Sequence, residues 1–283
     1  MMEKQSPDTK APMPAEHPSP ATQKPFDADV QNLRLRLRFE KTGRAVYISH
    51  LDLMTTMQRA FARADVMLRY SEGFNPHPLI SILLPLSVGT GSVCELMDFR
   101  LREENFQPED PSNAREMEER VSALLGTLPE RLNRALPEGI RVLEAWPAAR
   151  KGAALKWLEV EGTMEYDRAC PLPEALAEFF SRESIPVEKK TKRGMGTMDL
   201  KPAIRWIRFE NAEASGENTE GAVPGVMPPA GIIRVRAVIS AQEPTLNPEL
   251  LVNALRQAEP ALCPDFARFL RLETFDAEGN LFR

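Results

Sequence analysis

The chain has 283 residues, 42% of them hydrophobic and 27% charged, with a formal net charge of −5. That composition supports a packed core and excludes global disorder, and the charge excludes a uniformly basic coat while leaving room for a local basic face. Three scattered cysteines, Cys94, Cys170 and Cys263, exclude a disulfide framework, a zinc knuckle and an iron–sulfur ligand triad, and they suit a reducing compartment.

Residues 1–31 are rich in Pro, Lys, Glu and Ser and have no apolar run, so they read as a disordered tail rather than a secretory leader. No stretch of about 18 apolar residues follows, so no transmembrane helix and no membrane partner are expected, and the expected address is the cytoplasm. Residues 33–39, LRLRLRF, alternate strictly. Leu33, Leu35, Leu37 and Phe39 face one way and Arg34, Arg36 and Arg38 the other, as on a half-buried strand.

Ser49 is a good N-cap, and Asp52 places a carboxylate in the first turn of a helix that runs to about residue 65. Leu51, Leu53, Met54, Met57, Ala60, Phe61 and Ala64 form its apolar face, opposite Asp52, Thr56, Arg59 and Arg63. A short strand over 67–70, the turn SEGFNPHP, and strands over 79–84 and 95–102 come next. Residues 103–113 are a polar break, 114–136 a helix and 140–146 a strand.

With the short 67–70 strand set aside, the order strand, helix, two strands, helix, strand predicts a ferredoxin-like, split βαβ unit over residues 32–150. The same order recurs in residues 151–283: strands over 155–166, 185–190, 203–210, 232–240 and 267–275, with helices over 171–182 and 247–258. The expected fold class is therefore α+β, two ferredoxin-like domains with antiparallel sheets and helices on one face. The acidic, Gly/Pro-rich segment 211–230 reads as a mobile loop.

Two basic features suggest a polyanion ligand. Arg34, Arg36 and Arg38, joined by Arg100 and Arg102 and echoed by Arg234 and Arg236, would present guanidiniums on an open sheet face. The same alternation also fits ordinary solvent-side residues. Lys189, Lys190, Lys192 and Arg193, interrupted by Gly194 and Gly196, suit close backbone approach to an anion or, equally, a solvated hairpin. His50 at the first helical position and His77 between Pro76 and Pro78 are candidate acid–base groups or structural histidines. The nucleotide-binding loops and the serine-nucleophile elbow are absent. No catalytic residue, cofactor or metal is assigned.

The run YISHLDLMTTMQRAFARADVMLRYSEGFNPHP carries a family likeness. Phe39, Lys41, Gly43, Tyr47 and the Ser49–Leu53 stretch, followed by Ser71 and the Gly73–Pro78 stretch, resemble the hallmark of the radical-SAM-linked protein family, a bacterial domain of unknown function. Glu95 and Asp98 match an acidic pair, and Asp199 and Pro202 match a later stretch. The resemblance implies a partner, a radical SAM enzyme, rather than a reaction.

Together these features suggest a non-catalytic accessory module that presents tRNA or rRNA to that enzyme. Arg34, Arg36, Arg38, Arg59 and Arg63 would contact phosphates, and His50, Asp52, Asn75 and His77 would form a polar pocket. A metal-independent endoribonuclease using His50 and His77, or a protein–protein adaptor, are the alternatives.

Overall fold

Leu35, Leu37 and Phe39 pack against Met57, Phe61, Val121 and Leu128, a core that the alternation of the first strand and the helical spacing of two later segments build together. This is one of two hydrophobic clusters in a computed structural model that describes residues 33–106, 113–191, 194–212 and 229–283. The expected tail, most of the 211–230 loop, Lys192 and Arg193 lie outside the described residues.

The first half runs β1 (Leu35–Lys41), α1 (His50–Arg63), β2 (Ile80–Ile82), β3 (Gly91–Phe99), α2 (Ala114–Asn133) and β4 (Ile140–Pro147). The second runs β5 (Trp157–Tyr166), α3 (Pro173–Ser181), the hairpin β6 (Pro186–Thr191) and β7 (Gly194–Asp199), β8 (Ile204–Asn211), β9 (Gly231–Ser240), α4 (Glu249–Ala258) and β10 (Phe266–Phe275). The fold is mixed α+β, with four α-helices among the described residues and a large, mostly antiparallel sheet.

All strands but the hairpin join one eight-stranded sheet in the order β4-β1-β3-β10-β5-β9-β8, with β2 on β3. Within the first half every pair is antiparallel, β1 lying between β3 and β4. In the second half β5 lies between β9 and β10, and β8 extends the far side of β9, again antiparallel. The halves meet where β3 and β10 pair in parallel, through Leu270 opposite Gly91 and Arg271 opposite Ser92.

Local chemistry accounts for most boundaries. The Ser49 side chain accepts the Asp52 backbone N–H and starts α1. Asn113 caps α2 in the same way, and Pro129 is tolerated inside that helix. Gly162 of β5 has Phe269 and Val235 against it from both neighbouring strands, so a Cβ there would lie 2.6 Å from the phenyl ring. Gly139, at φ +84°, lets the turn before β4 approach the Thr42 carbonyl.

Three expectations shift. Residues 67–70 form isolated bridges, Leu68 to Leu101 and Tyr70 to Pro78, rather than a strand. β7 lies outside the expected strands, because GMGTMD has no apolar alternation to announce it. Leu51, expected on the apolar face of α1, is 76% exposed. Helical side chains lean toward the N-terminus, which carries this first-turn residue past the surface that Leu53 and Met57 cover.

Candidate functional site

The arginine stripe is the largest correction. Arg36 is wholly buried. Its Nε donates to Asp98 Oδ1 at 2.6 Å, and its Nη2 donates to Asp98 Oδ2 at 3.1 Å and to the Arg150 carbonyl at 2.8 Å. The ring of Phe282, itself buried, lies 4.8 Å from its guanidinium. Arg38 Nη2 donates to Glu273 Oε2 at 3.2 Å and its Nη1 lies 3.8 Å from Glu144. Arg34, partly exposed, lies 3.9 Å from Asp98.

The carboxylates come from the adjacent strands β3 and β4 in register with β1, and from β10 one strand further on. Arg102, Arg234 and Arg236 are paired as well, with Glu104, Glu210 and Glu159. These side chains do not form an open cationic face.

Beside the β3–β10 junction lies a second buried charge cluster. Lys41 alternates with Leu37 and Phe39 onto the same face of β1, and a register shift between Phe39 and Lys41, one extra residue on β3, brings Ser92 opposite it. Lys41 is buried and its Nζ donates to the Val46 carbonyl at 3.0 Å. Burial lowers its pKa, against the opposing pull of Glu95. Arg271 Nη1 donates to Glu95 Oε1 at 2.7 Å and to the Leu84 carbonyl at 2.9 Å. Burial pushes the neighbouring Cys94 thiol up to about 12, so it is a packing group rather than a nucleophile.

Glu95 and Asp98 are three apart on a strand and so face opposite sides, each neutralising one buried arginine. Sequence reasoning recognised the acidic pair but had no access to its partners. Arg271 was missed altogether, since its role follows from the β3–β10 register.

The motif residues separate into two pieces. His50 lines a narrow cleft with Lys41, Glu95, Leu53 and Pro85 and is itself exposed. Asp52 is committed to the cap: Ser49 Oγ donates to its Oδ2 at 2.7 Å. In the other piece His77 Nδ1 lies 2.9 Å from Ser71 Oγ, which also accepts the His77 backbone N–H at 3.1 Å. Ser71 N–H donates to the His77 carbonyl at 2.8 Å, closing a rigid loop around exposed Asn75. Among the described residues, no hydrogen bond joins His50 or Asp52 to Asn75 or His77.

Around these two pieces stand large apolar side chains in water. Tyr47 is 67% exposed, Tyr70 53%, and Phe74, at the loop tip, is fully exposed. Arg59 and Arg63 are exposed on α1 and make no ion pair among the described residues. Lys189 is half-buried, with Nζ 3.1 Å from Met198 Sδ, and Lys190 is placed on β6 by its backbone. Among the described residues no group of three or more His, Cys, Asp or Glu gathers as metal ligands would, and no helix is long and apolar enough to cross a membrane.

No curated protein matches the chain. Among solved structures, one described as an unknown protein from Galdieria sulphuraria is similar at 10% identity and a TM-score of 0.20, over 84% of this chain and 98% of that one. A family model described as an uncharacterized protein conserved in bacteria (DUF2344) matches residues 34–248. That span holds both motifs, the Lys41–Glu95 cluster and all of the main sheet except β10, and the chain belongs to this uncharacterized bacterial family.

Proposed function

We propose that the protein is a non-catalytic docking module of the cytoplasm, built of two ferredoxin-like units and holding a protein partner at its motif residues. The strand orders β4-β1-β3-β2 and β10-β5-β9-β8 support the two-unit reading. The family resemblance supplies the partner class, a radical SAM enzyme.

One observation carries the docking reading: the motif residues divide by burial. Phe39 and Leu53 are buried, so core packing accounts for them. Tyr47, His50, Leu51, Phe74, Asn75 and His77 are exposed, and packing accounts for none of them. Aromatic and large aliphatic side chains on a capped helix start and a proline-braced loop are preorganised anchors, which is how interface hot spots are built.

The test is a titration of the purified chain with a radical SAM enzyme from the same organism. Leu51→Ala together with Phe74→Ala is expected to weaken binding by roughly 30-fold or more, the cost of about one strong hot spot. Undetectable binding to the enzyme overturns the reading.

RNA is the second reading, favoured by the exposed guanidiniums of Arg59 and Arg63 on α1, which make no ion pair among the described residues. It would show as affinity for single-stranded RNA that falls steeply with salt and drops in Arg59→Ala/Arg63→Ala.

A further inference from the structure

Two buried hydrogen-bond donors on the far side of β1, Arg36 Nη1 and Trp146 Nε1, have no acceptor among the described residues. Buried donors in folded proteins are almost always satisfied, because an unmet one bears the full cost of its desolvation. These two are neighbours. Arg36 and Trp146 are direct cross-strand partners of β1 and β4, so their side chains rise side by side from the same face.

The surrounding charge is also unbalanced. Arg34 and Arg36 share the single carboxylate of Asp98. Arg150, whose carbonyl already takes one Arg36 N–H, is matched by Asp276 at 2.7 Å. The guanidiniums of Arg34, Arg36 and Arg150 are thus matched by two carboxylates, while the adjoining Glu144 and Glu273 are engaged by Arg38. Phe282 lies between the Arg36 and Arg150 guanidiniums, 4.8 and 4.9 Å from each, and limits the room left beside them.

We propose that Arg36 Nη1 and Trp146 Nε1 form a buried site for a small monovalent anion of the chloride class. Both groups donate and neither accepts, so the site matches a ligand that only accepts. A halide satisfies two donors at once and supplies the missing negative charge, whereas water would bring two protons of its own that need acceptors. The buried Phe282 ring against Arg36 favours a small ion over a polyatomic one such as phosphate.

Two measurements on the full chain test this. Crystals grown with sodium bromide should show an anomalous peak within hydrogen-bond distance of both donors. In solution, Tm should rise saturably as chloride replaces gluconate at constant ionic strength, up to about 0.2 M. Trp146→Phe keeps most of the ring volume and removes one donor, so the apparent anion affinity should fall about tenfold. The readout is the chloride dependence, which survives any general loss of stability in that variant. A water oxygen between the donors with no anomalous signal overturns the proposal, as does a Tm indifferent to chloride. A bromide peak without chloride-dependent stability marks an adventitious ion only and overturns it equally.

Discussion

The back of β1 and the motif segment that follows it are separated by only a few residues, and both are rich in groups that bind ligands. They end in opposite states. Arg36 and Arg38 are folded into carboxylate partners from β3, β4 and β10, while Tyr47, Leu51, Tyr70 and Phe74 are left in water. Charge alternation along a strand says which side chains share a face but not what the neighbouring strands bring to it. A surface becomes a candidate binding site where its side chains are found without partners, and on the loop and helix start of the motif segment the large apolar ones stand that way.

The contrast can be pressed with substitutions. The largest effect is expected on the back face. Asp98→Ala leaves the wholly buried Arg36 without its carboxylate, and the loss should be about 3 kcal/mol or more by urea titration. A loss under about 1 kcal/mol would mean that the guanidinium finds water, and the distinction between the two regions would blur.

An intermediate effect comes from pH. Asp199 accepts the backbone N–H groups of Ile185 and Lys201 and the Ser184 hydroxyl, and these bonds, the Ile185 one first, hold its carboxyl below the ordinary carboxylate range. A folded pKa below the unfolded one adds stability above the unfolded value and loses it as pH falls through the folded value. Thermal melts should therefore decline on acidification below about pH 4, and Asp199→Asn should be less stable near neutrality with a flatter acid limb.

The smallest effect is expected at the motif residues. Leu51→Ala and Phe74→Ala remove exposed side chains, so stability should change by no more than about 0.5 kcal/mol in the same urea assay, even where partner binding fails. A loss several times larger would show that these residues serve the fold and would remove the basis of the docking reading.

Much of the architecture is legible in the residues themselves. LRLRLRF announces a half-buried strand, Ser49 marks a helix start, and the periodic segments fix all four helices to within a few positions. Register is not legible. Glu273 meets Arg38, and Arg271 meets Glu95, only because β10 enters beside β3, more than 170 residues away in the sequence. The Gly-rich strand β7 is invisible for a different reason: its place is set by pairing with β6, not by a hydrophobic face of its own.

The central position of β10 has a consequence for synthesis. It is the last of these strands to leave the ribosome, yet it lies between β3 and β5. Until it arrives, β5 presents an open backbone edge, the Gly91–Ser92 end of β3 beyond β2 is unpaired on that side, and Glu95 lacks its cation. The nascent chain thus has a window in which a half-built sheet can capture a stranger's strand, and a chaperone that shields that gap would raise the yield of folded protein.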